Sequence, residues 1–232
     1  RALSSLRAPW FEVSCCPTNI ARTLAALPSL LATADADGIQ LNQYAAAEIE
    51  TTLADGTPVG LEILTDYPRS GRVVIRMRHD SPRPWTLTLR VPGWASGAAL
   101  AYRPATWEAE TVAATGATVA WTAAFNAGDD LELLLPVESR FLAPDPRIEA
   151  MRGCVAVQRG PVVYCAQSPV GGIDLDSVVV DTAVAPRDEG DLVVVAARWA
   201  TPDEADWPYR TPGSGEPAGG AGVLQLIPYH GW

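Results

Sequence analysis

The 232 residues are enough for one large core or two ordinary ones, and 48% hydrophobic against 19% charged residues describes a folded globular chain. A formal net charge of −10 argues against nucleic acid as a partner, since phosphate binding needs a concentrated basic surface. No apolar run approaches the roughly 18 residues that cross a bilayer, so no membrane partner is expected. All 17 basic residues are Arg, which together with abundant Ala reads as a coding bias. Four cysteines are too few for a disulfide scaffold, and the cytoplasm is the expected compartment. The opening Arg1-Ala-Leu-Ser-Ser-Leu-Arg7 lacks the apolar segment of a signal peptide, but the chain does not begin with Met, so that absence carries no weight.

Residues 1 to 33 read as loop plus helix. The stretch Trp10-Phe-Glu-Val-Ser-Cys-Cys-Pro-Thr-Asn19 sets two thiols, Cys15 and Cys16, side by side at the start of that helix. Pro17 suits a first turn, where its missing N–H costs nothing. Ile20, Leu24, Leu27 and Leu31 then recur at helical spacing, and Pro28 is expected to kink or break the helix. A helix N-terminus favours negative charge, and two neighbouring thiolates repel unless a soft cation such as zinc lies between them. The plain alternative is a pair of small core residues. Cys154 and Cys165 lie far off in apparent strands, and His79 and His230 stand in no ligand-like spacing, so any such metal site is only half present.

From Asp37-Gly38 the period changes from 3.6 to 2. Ile39 and Leu41 alternate with polar neighbours, as do Val59, Leu61 and Ile63, then Val73, Ile75 and Met77, then Trp85, Leu87, Leu89 and Val91, then Val119 and Trp121, with a last run over Leu131 to Leu135. Turn signals at Asp55-Gly56, Ser70-Gly71, Pro92-Gly93 and Gly128-Asp129 separate these runs, which is the rhythm of an antiparallel sandwich. A Pro-rich joint at Leu142-Ala-Pro-Asp-Pro146 opens a second β-rich unit. The expected fold is therefore all-β, two consecutive antiparallel β-sandwich domains over 34–141 and 142–232, after a helical segment over 1–33. In the second unit, a turn at Arg159-Gly160 would set Cys154 opposite Cys165, either as two reduced core thiols or as a cross-strand disulfide. Val178 to Val180, Leu192 to Trp199 and Val223 to Ile227 supply further strands, with a Pro/Gly-rich excursion over Thr201 to Gly222.

Other constellations carry less chemistry. The Arg69–His79 cluster, with Arg72, Arg76 and Arg78, reads as a solvated sheet face. Asp174-x-Asp176 has the residues for a calcium site but reads better as solvated loop, Asp129-Asp130 reads as turn chemistry, and Ser14 has no neighbouring His to activate it. Trp94, Trp107 and Trp207 stand near turns where a sugar platform could form, whereas Trp85 and Trp121 fit a core.

Four motifs carry a resemblance: Trp10-Phe11 with Cys15-Cys16-Pro17, Asn19 and Arg22; Val91-Pro-Gly-Trp-Ala95; Val157-Gln-Arg-Gly-Pro-Val-Val-Tyr-Cys165; and Leu226-Ile-Pro-Tyr229 with Trp232. In this order they resemble the glycoside hydrolase family 127 β-L-arabinofuranosidases. Thr18 stands where that family often has a second Pro. The resemblance implies a catalytic (α/α)6 barrel, of which residues 1–33 are the final helical segment, followed by accessory β-sandwiches. It implies a retaining glycosidase with Cys15 as nucleophile, Cys15 and Cys16 on a zinc ion, and an arabinofuranoside or related glycan as substrate. It also implies that the remaining zinc ligands, a Glu and a Cys, and the general acid/base Glu come from an earlier part of the barrel, upstream of Arg1; Glu12, the one Glu ahead of Cys15, reads as a loop or surface residue. The chain alone is then expected to be inactive. The competing readings are an accessory carbohydrate-binding module and a purely structural β-sandwich protein.

Overall fold

In a computed structural model, the strict alternation Trp85-x-Leu87-x-Leu89 becomes a strand with every second side chain buried. The structure describes residues 15–105, 108–167, 175–199 and 220–231, and of Asp176 only the backbone. The chain divides into two compact units, one holding 1–67, 72–93 and 97–134, the other 68–71, 94–96 and 135–232.

The first unit begins with helix α1 (Cys15–Leu30) and continues through ten strands: β1 (Ala32–Ala34), β2 (Gly38–Leu41), β3 (Ala47–Thr52), β4 (Pro58–Thr65), β5 (Arg72–Met77), β6 (Trp85–Arg90), β7 (Ala99–Arg103), β8 (Glu110–Ala113), β9 (Thr118–Ala123) and β10 (Asp130–Leu134). They form a four-stranded sheet, β1-β2-β6-β9, and a six-stranded sheet, β3-β4-β5-β10-β7-β8. Aromatic rings join the two layers: Tyr102 of β7 lies 5.3 Å from Trp121 of β9, and both Tyr102 and Trp85 meet Phe125, which is fully buried. Leu61, Ile75, Leu87, Leu100 and Leu131 fill the space between, each contributing about 1.5–3 kcal/mol by burial. The expected all-β sandwich architecture is found. One pair departs from the antiparallel expectation: β2 runs parallel to β6, with Ile39 beside Leu87.

Pro28 does not break α1. It sits in the last turn, where a single lost backbone bond is followed by the helix end at Leu30. None of the helix residues is buried, and Ile20, Leu24, Leu27 and Leu30 are each 44–60% exposed. No helix among the described residues is long and apolar enough to span a membrane.

The second unit is one seven-stranded antiparallel sheet built from β11 (Ser139–Leu142), β12 (Ala156–Arg159), β13 (Val162–Ala166), β14 (Val178–Val180), β15 (Arg187–Glu189), β16 (Leu192–Trp199) and β17 (Gly220–Pro228). Val157, Tyr164, Val193, Val195, Ala197, Leu224 and Leu226 make its core, with Phe141, Val162 and Val178 against it. Strand β17 starts at Gly220, three residues ahead of the expected Val223; residues 200–219 lie outside the described set.

The hairpin β12–β13 corrects the cysteine pairing. Arg159 faces Val162, so the loop is Gly160-Pro161, and Gly160 supplies the positive φ of 54° that the first turn position requires. Cys165 therefore faces Ile227 of β17, while Cys154 precedes β12 and is exposed. The two form no disulfide, and Cys154 is not a core residue.

Candidate functional site

Cys15 and Cys16 head α1, and both are exposed. Residues one apart on a helix diverge by about 100°. Cys15 thus stands above Asn19 and Arg22, and Cys16 above Ile20 and the apolar face. Arg22 donates to the Asn19 side-chain oxygen, and the Thr18 hydroxyl donates to the Cys15 carbonyl at 2.9 Å. Pro17 lies in the first turn, where its missing N–H has no intrahelical partner to lose.

The two Sγ atoms are 3.8 Å apart. Two thiolates on one tetrahedral zinc, each at about 2.3 Å, would be separated by about 3.8 Å, so the pair fits two corners of such a site. Among the described residues no group of three or more His, Cys, Asp or Glu is placed to hold a metal, so these residues offer no more than the two thiols here. Trp10, Phe11, Glu12 and Ser14 lie outside the described residues.

The remaining candidates resolve as structure. Arg72 bonds Glu132 at 2.7 Å, Arg76 bonds Asp130 at 3.0 Å, and Arg78 pairs with Glu48 and Glu50, all on the outer face of the six-stranded sheet. His79 joins that ladder through Glu50 at 2.8 Å. Trp85 is buried and Trp121 half-buried, as a core role requires. Trp94 is half-buried, with its ring beside Gly160 and its carbonyl accepting from Arg140 at 3.1 Å. Trp107, Trp207 and Asp174, with the Asp176 side chain, lie outside the described residues.

Asp129 is more than a turn residue. It is 1% exposed and accepts from the Tyr102 hydroxyl at 2.7 Å, from Asn126 N–H at 2.9 Å and from Ala105 N–H at 3.0 Å. Burial works against its charge, but the Asn126 N–H, the Tyr102 hydroxyl and the Ala105 N–H outweigh it and hold the carboxyl below the ordinary Asp value. The sequence offers the turn signal Gly128-Asp129 but nothing that names Tyr102 as the partner.

Residues 38–137 match the family model described as the β-L-arabinofuranosidase, GH127 middle domain, and residues 139–232 match the glycoside hydrolase family 127 C-terminal domain. The chain belongs to glycoside hydrolase family 127. A curated relative, the non-reducing end β-L-arabinofuranosidase of Bifidobacterium longum subsp. longum, is 32% identical over 98% of this chain and 36% of its own length. The fold is similar to that of a family 127 β-L-arabinofuranosidase from Geobacillus stearothermophilus T6, with a TM-score of 0.80 and 26% identity over 99% of this chain and 37% of that one. A family 127 β-arabinofuranosidase gives a TM-score of 0.77 at 25% identity, covering 97% of this chain and 37% of its own. This family 127 chain thus spans somewhat over a third of the relatives it matches, as their C-terminal portion. The likeness to the curated relative covers nearly the whole chain, whereas the family models match from residue 38 and from residue 139, both beyond α1.

Proposed function

We propose that this chain is the C-terminal portion of a retaining glycoside hydrolase that removes β-L-arabinofuranosyl groups from the non-reducing end of glycans. In this reading the residues before β1 close a catalytic (α/α)6 barrel. The observation that carries the reading is the exposed thiol pair at the head of α1, 3.8 Å apart, on a helix whose Ile20, Leu24, Leu27 and Leu30 stand exposed among the described residues. An enclosing helical domain would cover those side chains and supply what the pair lacks.

A retaining glycosidase needs a nucleophile on one side of the anomeric carbon and a proton donor at the leaving oxygen. The Cys15 thiolate attacks the anomeric carbon, the C–O bond to the aglycone breaks, and a Glu from outside these residues protonates the departing oxygen. Water, deprotonated by the same Glu, then displaces the Cys15 sulfur, so two inversions give net retention. Cys15 and Cys16 would hold the zinc, which when bound supplies Lewis-acid stabilisation of negative charge on sulfur. Helix α1 adds to this, because its N-terminal dipole favours an anion there by about 0.3–1 kcal/mol. Asn19 and Arg22, one and two turns below Cys15, brace each other on the same face.

The test is the stereochemistry of the first product. The full-length protein, given an aryl β-L-arabinofuranoside, should release β-L-arabinose first, as followed by proton NMR before mutarotation. Initial appearance of the α anomer, or no hydrolysis, would contradict the reading.

A further inference from the structure

The most distinctive stretches of the second unit, 157–165 and 226–229, play no part in the chemistry above, yet the fold brings them to one place. Tyr164 of β13 pairs with Pro228 of β17. At the same end, β15 and β16 are joined by a second two-residue turn, Gly190-Asp191, with Gly190 at φ 64°. Arg159 ties the two hairpin turns together: its Nη1 donates to the Gly190 carbonyl at 2.7 Å, and its guanidinium lies over the Tyr164 ring, 5.3 Å from the centroid. Beside them is a cavity of about 310 Å³ bordered by Arg69, Arg159, Tyr164, Asp191, Pro228 and His230, all within the second unit.

Arg159 is committed to its neighbours. Arg69, Asp191 and His230 are exposed and make no hydrogen bond or ion pair among the described residues. The cavity therefore offers a fork of N–H donors, a carboxylate acceptor and an imidazole that can do either, with Pro68, Pro228, Val162 and the Tyr164 ring as apolar wall. An anionic ligand would meet Asp191, a cationic one would meet Arg69 and Arg159, and a purely apolar one would strand three polar groups. A ligand whose hydroxyls both donate and accept satisfies all three. The volume is at the small end of the range for small-molecule pockets, about 300–1,000 Å³.

We propose that this cavity is a binding site for a neutral sugar ring, built by the second unit from its own residues. The inference rests on the cavity's side chains; the glycosidase reading enters only in choosing an arabinose polymer as probe.

The test is affinity electrophoresis of the full-length protein through gels containing debranched arabinan, a neutral arabinose polymer, or polygalacturonate, its acidic counterpart. Arabinan should retard the parent, and Arg69→Ala and Asp191→Ala should each weaken the apparent affinity at least about fivefold, as loss of a hydrogen bond to a charged group predicts. Both positions are exposed, so melting temperatures should match the parent; His230→Ala provides a third exposed position with the same expectation. Equal retardation of parent and variants, no retardation of the parent, or stronger retardation by polygalacturonate would each overturn the proposal. Failure of the glycosidase reading shows separately, as a parent that does not hydrolyse β-L-arabinofuranosides.

Discussion

Cys15→Ser should lower turnover of a β-L-arabinofuranoside by the full-length protein at least about a thousandfold, equivalent to about 4 kcal/mol on the barrier. A serine hydroxyl is nearly isosteric but is a weak nucleophile at neutral pH without an adjacent base, and α1 brings none to this position. Cys16→Ser should separate the two roles. It leaves the proposed nucleophile in place but removes a proposed thiolate donor, so zinc content measured by elemental analysis should fall below about half of the parent's. Cys15→Ser with turnover within about tenfold of the parent would remove Cys15 from the chemistry.

Asp129→Ala should destabilise the first unit by about 3 kcal/mol, read as faster hydrogen exchange of the β10 amides in the full-length protein. The substitution takes the acceptor from the buried Tyr102 hydroxyl and from two backbone N–H groups, those of Ala105 and Asn126. Stranding buried donors costs about 1–3 kcal/mol each where water cannot replace the partner. The pH dependence follows from the direction of the shift. Asp129 is held below its ordinary value of 3.8 in the folded state, so the folded state favours the ionised form. Its contribution is therefore fully present above about pH 4 and is lost as the pH falls through the depressed folded value. Asp129→Asn should flatten that acid limb. An Asp129→Ala protein that exchanges β10 amides at the parental rate would show that the network carries no weight.

Much of this fold is legible in the sequence, for identifiable reasons. Strands β4, β5, β6 and β10 bury one face between two sheets, and such strands must alternate or run apolar, so Leu61, Ile75, Leu87 and Leu131 announce them. Strands β3 and β7 escape notice. Ala47-Glu-Ile-Glu-Thr-Thr52 lies at a sheet edge with no residue fully buried, and Ala99-Leu-Ala-Tyr-Arg103 has small residues where bulk would mark a strand. The parallel pairing of β2 with β6 is invisible because it joins residues far apart in the chain, and strand pattern does not encode direction. The hairpin register in the second unit turns on one detail: glycine with positive φ stands first in the loop, which selects Gly160-Pro161 over Arg159-Gly160.

Of the sites, the thiol pair is readable because it is contiguous: Cys-Cys-Pro fixes its own helix start, and the apolar spacing of Ile20, Leu24 and Leu27 fixes the helix. The cavity of the second unit is not readable, since Arg69, Arg159, Asp191 and His230 come from four separate segments. Arg69 belongs to the sequence cluster that ends at His79, yet it sits on the β4–β5 turn and borders this cavity instead of joining the ion-pair ladder on the sheet. One local signal does exist. Gly190-Asp191, between the strand-like Arg187-Asp-Glu189 and the apolar Leu192-Val-Val-Val195, is a two-residue hairpin loop that begins with glycine.

The central claim is that sulfur, not a carboxylate, attacks the sugar, and covalent trapping tests it most directly. The full-length protein is quenched in acid during turnover of an aryl β-L-arabinofuranoside with a good leaving group, digested, and its peptides weighed by mass spectrometry. The account predicts one pentosyl adduct, located on Cys15 and absent from Cys15→Ser. A pentosyl group on an Asp or Glu, or on Cys16, would contradict it.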